Sequence, residues 1–379
     1  MALLAITPAT GVQRIAFVCP PGAPLQQLRD MLFSEVISRN NNVLVVAPEF
    51  SSADVRALDE LGVEHDVFTA DGSGLKLFAD WKAIGGLKET LIDWEPDVVI
   101  AYGAKIMVCG ALAAKGAHAE RIVLIVDGLP EHRFSGALGA DEMPAWRYGQ
   151  ALRTADEAVF HNRDDLALLK KLGLVPHVLP VAVVPGAGVD LDSQAVLPLP
   201  ALGHGLVFLM IASLERRRGV LEYCAAAKAV RQRAPSSRFL LASLPAEGAA
   251  PVTCAELAQF ADVEYLGVAA DHPGALGECH VFVYPSCVGG IPQPVLQAMA
   301  AGRPILTTNI PGCRDTVDER VNGCLVAPRD AEALAEALES YLKRPDLIPA
   351  MARASRAKAE RFCTAGSVKR SMMEVLRLE

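Results

Sequence analysis

The sequence lacks paired cysteines and long apolar runs. None of its nine cysteines belongs to a C-x-x-C pair, so the pattern fits neither a structural zinc site nor a small disulfide-stabilised domain. The longest apolar stretches, 107–114 and 205–214, are well short of the roughly 20 residues that a membrane-spanning helix needs. The opening residues also lack the pattern of a secretory signal. We therefore expect a cytoplasmic protein whose only membrane contact would be peripheral, at the inner face.

An excess of positive charge is also missing. Against 36 lysines and arginines stand 44 aspartates and glutamates, a formal net charge of -8. Proteins that bind nucleic acid by neutralising phosphates need the opposite balance, so DNA and RNA are not expected partners. Hydrophobic residues make up 51% of the 379-residue chain, which is enough for at least one substantial core and favours two.

Several motifs that carry chemistry are absent as well. The chain contains no G-x-G-x-x-G, no P-loop, no G-x-S-x-G and no H-E-x-x-H. These patterns position dinucleotides, nucleotide phosphates, a serine nucleophile and a catalytic zinc ion, respectively. We therefore expect no bound cofactor and no metal site.

The first half of the chain alternates short runs rich in valine and isoleucine with helical stretches. Such continuous apolar runs are typical of parallel strands that are covered on both faces, which predicts a doubly wound α/β sheet. The predicted strands are 14–19, 42–47, 97–101, 121–126, 158–161 and 181–184, and the predicted helices are 25–40, 53–62, 75–94 and 106–115.

This rhythm restarts after 185–205, the segment with the densest turn chemistry in the chain. A domain boundary is therefore expected there. Further strands are predicted at 206–211, 239–242, 263–266, 281–284 and 304–307, and the end of the chain reads as helical. We expect an N-terminal domain over 1–200, a C-terminal domain over 201–360 and a final helix over 361–379.

In doubly wound folds, ligands bind beyond the carboxyl ends of the strands. The loop after 206–211 places Arg216, Arg217 and Arg218 at a strand-to-helix turn, where guanidinium groups and helix amides could bind a diphosphate. A solvated basic turn is the alternative reading of the same residues.

The loop after 281–284 carries a glycine pair. Gly289 and Gly290 would allow a ligand close to the backbone, and Pro292 or Pro294 suits the start of a short helix aimed at that ligand. Glycine and proline pairs also mark plain turns, so the pattern alone leaves both interpretations open.

Three positions stand out in the N-terminal half. Gly22, between prolines after the first strand, could bring backbone amides to an anion. Asp127, at the end of the strand 121–126, and His132, just beyond it, are candidate general bases. Isolated histidines are more often surface or satisfied structural residues, so Asp127 is the stronger candidate.

Taken together, these loops resemble the GT-B glycosyltransferases of family 4, the retaining group 1 family, and within it the branch that builds bacterial surface polysaccharides on polyprenyl-diphosphate carriers. The resemblance spans nearly the whole chain. It is carried, in the family's order, by EPDVVIAYGAKIMVCGALAA, PGAGVD, FLMIASLERRRGVLEY, VEYLG, VYPSCVGGIPQPVLQAMAAGRPIL, TTNIPGCRDTV and NGCLVAPRDAEALAEAL.

The resemblance implies two Rossmann-like domains that face each other across a cleft, with a C-terminal helix crossing back. It implies acceptor binding by the first domain and nucleotide-sugar binding by the second. Transfer of a hexose-type sugar from a UDP-sugar to a glycan or polyprenyl-diphosphate-linked acceptor is the implied reaction. Basic side chains and a helix N-terminus replace a metal ion at the diphosphate in such enzymes.

The chain departs from the family at positions that matter. The family's Arg-Leu-x-x-x-Lys-Gly motif has Ser213 at its arginine and Arg218 at its lysine, and the Glu-x7-Glu motif falls on Gly289 and Gln297. Each lost hydrogen bond to a charged group costs about 1.5–3 kcal/mol. Three explanations are open: the sugar donor is unusual, neighbouring arginines compensate for the lost contacts, or the chain no longer catalyses transfer. We favour an active but atypical transferase.

Carried over by resemblance, Arg217 and Arg218 would stabilise the departing diphosphate together with the backbone amides of Gly290 and Ile291. Gln297 would face the ribose, and no protein nucleophile is expected. The complete candidate donor-binding set is Gly22, Ser213, Arg216, Ser243, Leu244, Leu266, Gly267, Val268, Gly289, Gly290, Ile291, Pro292 and Gln297.

Two further functional classes remain open at this point. A non-catalytic GT-B-like partner subunit is favoured by Ser213, Gly289 and Gln297. An epimerase of the same architecture would need acid and base residues that the sequence does not reveal.

The segment 75–94 mixes lysines with apolar residues. Lys76, Lys82 and Lys88 could place it on an anionic membrane near a lipid-linked acceptor. An ordinary amphipathic helix with its apolar face inward is the alternative.

Overall fold

The structure is a computed structural model that describes residues 12–20, 22–28, 32–68, 81–104, 106–129, 144–186, 188–203, 205–244, 251–268 and 272–378. The chain divides into two compact units. One comprises Met1–Ala187 with Val368–Glu379, and the other comprises Gly188–Ser367. Each unit is an α/β structure with one parallel sheet, which confirms the predicted fold class.

The first unit is organised around a seven-stranded sheet with the order β3-β2-β1-β4-β5-β6-β7. Its strands are β1 Arg14–Val18, β2 Asn42–Ala47, β3 Glu64–Val67, β4 Val98–Tyr102, β5 Arg121–Val126, β6 Glu157–Phe160 and β7 Val181–Val183. Its helices are α1 Ala23–Leu28, α2 Ser34–Ser38, α3 Ser52–Glu60, α4 Trp81–Trp94, α5 Ile106–Gly116, α6 Ala145–Thr154 and α7 Arg163–Lys171.

The strands predicted from apolar runs are present, and β4 is buried along its whole length. Strand β3 was missed because its sequence, EHDV, is polar; it lies at the sheet edge and pairs only with β2. In place of the single helix predicted over 25–40, the described residues contain α1 and α2.

Helix α4 turns its apolar face inward. Leu87 and Leu91 are fully buried and Trp94 nearly so, in a cluster that includes residues of α5. Lys82 and Lys88 lie on the exposed side. This burial corresponds to the ordinary amphipathic helix, because the same side chains cannot both fill the core and enter a bilayer. Lys76 lies outside the described residues.

The second unit has a six-stranded parallel sheet with the order β10-β9-β8-β11-β12-β13. Its strands are β8 Val207–Ser213, β9 Arg238–Leu244, β10 Glu264–Val268, β11 Val281–Tyr284, β12 Ile305–Thr308 and β13 Gly323–Val326. Its α-helices are α8 Val220–Arg233, α9 Cys254–Leu257, α10 His272–Glu278, α11 Gln293–Ala300, α12 Ala331–Lys343 and α13 Ile348–Phe362, and short 3-10 helices span Arg216–Arg218, Arg314–Thr316 and Pro345–Leu347.

The last helix, α14 Ala365–Leu376, begins in the second unit and ends in the first. Val368, Met372 and Leu376 join the core of the first unit. Arg121 of β5 donates to the backbone oxygen of Leu376 at 2.6 Å, which fixes the end of the helix. Within the described ranges, no helix combines the length and the apolarity needed to cross a membrane.

A buried arginine holds the glycine- and proline-rich segment 188–203 onto the second unit. Arg303 is fully buried, and its guanidinium donates to the backbone oxygens of Leu276 at 2.9 Å, Leu197 at 3.0 Å and Pro198 at 2.9 Å. Burial lowers the pKa of this group. The carbonyl oxygens replace the water that the cation would otherwise need.

Replacing Arg303 with methionine should destabilise the second unit strongly. The variant removes the guanidinium donors of the Leu276, Leu197 and Pro198 carbonyl oxygens together with a buried cation, so we expect a loss of about 3 kcal/mol or more in the free energy of unfolding. Denaturant unfolding of the full chain measures it. Arg233→Met is the matched control, because it removes only an exposed arginine paired with Glu339 and should cost less than about 1 kcal/mol. Equal losses in the two variants would contradict this account.

Candidate functional site

The loops at the carboxyl ends of β8 and β11 define the candidate site of the second unit. These two strands are neighbours, and the chain continues from them towards opposite edges of the sheet. Such a switch point is where ligands of doubly wound sheets bind, because the loops leaving the two strands separate and open a crevice. The basic turn follows β8, and the glycine turn follows β11.

Gly219 joins these two loops. It follows the 3-10 helix Arg216–Arg218 with φ of 77°, and a Cβ atom there would lie 2.0 Å from the carbonyl oxygen of Pro285. Only glycine permits this approach. The amide of Cys287 also donates to the carbonyl oxygen of Arg217 at 2.8 Å. The basic turn is therefore fixed against the loop that follows β11.

The three arginines of the turn have different partners. Arg216 forms an ion pair with Glu256, and Arg217 donates a hydrogen bond from its Nε to Glu215. These acidic partners were not recognised in the sequence, although a glutamate directly before three arginines is a usable signal. Glu215 is fully buried.

Arg218 points towards the end of β11. Its Nη1 lies 3.4 Å from the hydroxyl group of Tyr284, the last residue of that strand. Burial raises the pKa of Tyr284, and the Arg218 guanidinium opposes that rise. The phenol therefore stays neutral beside the cation.

The glycine turn is packed tightly against the loop after β12. A Cβ atom on Gly312 would lie 2.3 Å from the carbonyl carbon of Gly290, and the amide of Gly290 donates to Pro311 at 3.1 Å. The Gly290 amide is therefore occupied, which corrects our expectation that it faces the ligand. The amide of Ile291 has no acceptor among the described residues.

Helix α11 begins where the glycine turn ends, with Pro292 as its N-cap residue, as predicted. Gln297 lies on its half-buried face, one turn beyond Gln293. Gln293 itself donates to the carbonyl oxygen of Gly188 at 2.9 Å. The amide of Gln297 thus lies on a helix whose N-terminus is fixed by the turn.

The ends of β9 and β10 bring the predicted base-binding residues together. The Ser243 hydroxyl lies 2.7 Å from the hydroxyl of Tyr265 and 3.3 Å from the carbonyl oxygen of Gly267. Leu266 and Val268 are exposed on either side of Gly267, and Leu244 ends the neighbouring strand. Tyr265 was missed, because nothing in the sequence distinguishes it from an ordinary strand tyrosine.

The first unit contains a second group of polar residues at the ends of its strands. Asp127 accepts from the amide of Ala104 at 3.0 Å, near the switch point between β1 and β4. Gly22 follows β1 with φ of 79°. His132 lies outside the described residues.

Sequence reasoning missed further polar residues beyond the strand ends of this unit, among them His161, Asn162 and Asp165. The ring of His161 packs edge-on against Tyr102 at 5.7 Å, and burial lowers the pKa of His161 to about 4. Asp165 accepts from the Asn162 side chain at 2.7 Å, and burial raises the pKa of its carboxyl group to about 6. Their signal was weak, since lone polar residues at strand ends are common.

Comparison with known proteins shows which family and which fold the chain resembles. Residues 205–344 match the family model for glycosyl transferases group 1. The chain is 18% identical, with a TM-score of 0.73, to the Anabaena protein HepE crystallised with UDP, over 96% of this chain and 99% of that one. Sucrose-phosphate synthase from Thermosynechococcus elongatus is similar at a TM-score of 0.74 and 18% identity, over 96% and 98%. The fold is therefore GT-B, and the segment that matches the group 1 glycosyl transferases lies within the second unit.

Two relatives are similar to the chain over most of its length. It is 24% identical to N,N'-diacetylbacillosaminyl-diphospho-undecaprenol alpha-1,3-N-acetylgalactosaminyltransferase of Campylobacter jejuni, over 87% of this chain and 89% of the relative. It is 25% identical to UDP-Gal:alpha-D-GlcNAc-diphosphoundecaprenol alpha-1,3-galactosyltransferase of Escherichia coli, over 70% and 71%. These comparisons confirm the resemblance inferred from the sequence.

The contact between Gly219 and Pro285 can be tested by adding one methyl group. Gly267→Ala introduces a left-handed alanine at a site with nothing within 4 Å, and should cost about 1–2 kcal/mol. Gly219→Ala has the same backbone strain plus a clash with Pro285, so we expect a clearly larger loss of stability. Thermal unfolding without ligand compares the two variants. A Gly219→Ala variant as stable as Gly267→Ala would show that the two loops can separate freely.

Proposed function

We propose that this protein is a retaining, metal-independent glycosyltransferase that moves a hexose-type sugar from a UDP-sugar to a glycan or polyprenyl-diphosphate-linked acceptor in bacterial polysaccharide or glycoconjugate synthesis. The observation that carries the proposal is the basic turn at the β8 and β11 switch point. There, Arg217 and Arg218 follow β8, while the N-terminus of α11 and the Ile291 amide, which has no acceptor among the described residues, follow the neighbouring strand β11.

The choice of donor is supported by similar proteins. HepE was crystallised with UDP, with UDP and glucose and with UDP-glucose, and the Escherichia coli relative is named for UDP-Gal. In this chain the uracil base would lie between the end of β9 and the exposed turn at Leu266, Gly267 and Val268. Gln297 would hydrogen-bond the ribose through its amide.

The acceptor is inferred from the names of the two undecaprenol relatives. A lipid-linked acceptor would bring the protein to the membrane surface, and contact there would be peripheral. Because α4 buries its apolar face, such a contact would involve exposed charges such as Lys88 rather than insertion of the helix.

In the reaction, the bond between the sugar's anomeric carbon and the diphosphate breaks, and the acceptor oxygen forms a bond to the same face of that carbon. The acceptor's proton leaves with the diphosphate or with a nearby base. Negative charge grows on the departing diphosphate, so fixed cations and amides aimed at it lower the barrier. Arg217, Arg218 and the Ile291 amide are assigned to that role. Asp127 and His132 remain candidate helpers on the acceptor side.

A thermal-shift screen with UDP, GDP, CMP, dTDP and their sugars tests the proposed donor class. We expect UDP to raise the melting temperature, since a ligand at 100 times its dissociation constant stabilises by about 2.7 kcal/mol. Arg218→Ala should remove the rise in melting temperature, whereas Arg233→Ala, at the C-terminal end of α8, should keep it. No shift with any nucleotide would instead support a non-catalytic partner subunit, the function that Ser213, Gly289 and Gln297 favour.

Metal independence gives a separate prediction. Because guanidinium groups and backbone amides would neutralise the diphosphate, sugar transfer should be unchanged by an excess of EDTA. The measurement is the release of UDP from a UDP-sugar with a lipid-linked acceptor. Activity that disappears with EDTA and returns with Mg²⁺ would contradict this assignment.

A further inference from the structure

Glu215 is an unusual residue for an anion-binding loop, because it places a negative charge beside the basic turn. It is fully buried at the end of β8, between Ser213 and the 3-10 helix Arg216–Arg218. A buried carboxylate is stable only when charged or polar groups compensate it. The hydrogen-bond partners of the Glu215 carboxylate therefore indicate its role.

Both oxygens of this carboxylate have partners. Oε2 accepts from Nε of Arg217, and Oε1 accepts from the Ser213 hydroxyl at 3.3 Å. Ser213 is itself buried. The serine thus serves as a second support for Glu215.

The contact with Glu215 uses only one part of the Arg217 guanidinium. Nε is engaged, whereas the described residues provide no acceptor for the two Nη groups, and the side chain is 49% exposed. The backbone of Arg217 is fixed as well, through the hydrogen bond from Cys287. Arg217 therefore has its Nε fixed, while both Nη groups belong to a half-exposed side chain and have no acceptor among the described residues, an arrangement suited to binding phosphate oxygens.

The neighbouring arginine provides a contrast. Arg216 also has a glutamate partner, but both side chains of that pair are solvent-accessible. Such a pair contributes little and does not fix a long side chain. Of these two arginines, Arg217 is the one that is oriented by a fully buried charge.

We propose that Glu215 is a positioning residue that directs Arg217 towards the donor diphosphate, so that Arg217 supplies the phosphate contact that Ser213 cannot make. The inference rests on the proposed function, since it assigns a diphosphate to this site. Glu215 acts only through Arg217 and does not touch the ligand.

A double-mutant cycle tests this coupling, with UDP and UMP as probes in calorimetric titrations. Arg217→Ala should lower the affinity for UDP about 10- to 100-fold, the effect of losing hydrogen bonds to a charged group. Glu215→Ala should lower it comparably, and the double variant should bind UDP no more weakly than Arg217→Ala alone. The affinity for UMP, which lacks the second phosphate, should change by less than about threefold in all three variants.

Conservative variants separate positioning from folding. Glu215→Gln retains an oxygen that can accept from Nε, so it should restore most of the UDP affinity lost in Glu215→Ala. Arg217→Lys keeps the charge but has no Nε, so its UDP affinity should not depend on whether residue 215 is Glu or Gln. Glu339→Ala, which breaks an arginine pair far from the site, should leave UDP binding unchanged.

The outcomes distinguish a failure of the role of Glu215 from a failure of the proposed function. Losses that multiply in the double variant, or equal losses for UDP and UMP, would overturn the role of Glu215 while leaving the proposed function intact. If Glu215→Ala does not fold, failure of Glu215→Gln to retain UDP affinity in a folded protein has the same meaning. No binding of UDP by the unmodified protein would overturn the UDP-sugar donor assignment, and this inference with it.

Discussion

The close approach of Gly219 to Pro285 is the constraint on which the candidate site depends. Strands β8 and β11 end side by side, but their loops leave in different directions, and side chains would ordinarily keep those loops apart. A glycine with positive φ allows the backbone of one loop to contact the carbonyl group of the other. The basic turn and the glycine turn consequently form one surface.

Charge on that surface is arranged unequally. Arg218 lies near a neutral phenol, Arg217 near a buried carboxylate and Arg216 near an accessible one. The carboxylate beside Arg217 is fully buried, whereas the one beside Arg216 is accessible, so these two guanidinium groups are oriented to different degrees. Ser213, Gly289 and Gln297 stand where the family that the chain resembles has an arginine and two glutamates, and in the site we propose an oriented Arg217 would take part in binding the diphosphate.

Much of the architecture could be predicted, because it follows from local patterns. The buried strands of both sheets have continuous apolar sequences, and Pro292 marks the start of α11. Strands β3 and β13 were missed, since edge strands contain polar residues and glycine. The roles assigned to the site residues remain predictions, and the Gly290 amide was assigned wrongly because its acceptor, Pro311, belongs to a distant loop.

The sequence by itself determined the α/β class, the resemblance to the group 1 glycosyl transferases, and the position of the three arginines after a strand. These features depend on residues close together in the chain, whose periodicity and turn chemistry are legible without a structure. Only the tertiary structure decided which amide is already occupied, which arginine faces a buried carboxylate, and that Ser243 meets Tyr265. Those pairings join loops separated by 20 or more residues or depend on how a turn is packed, and hydrogen bonding at that range is set by three-dimensional proximity.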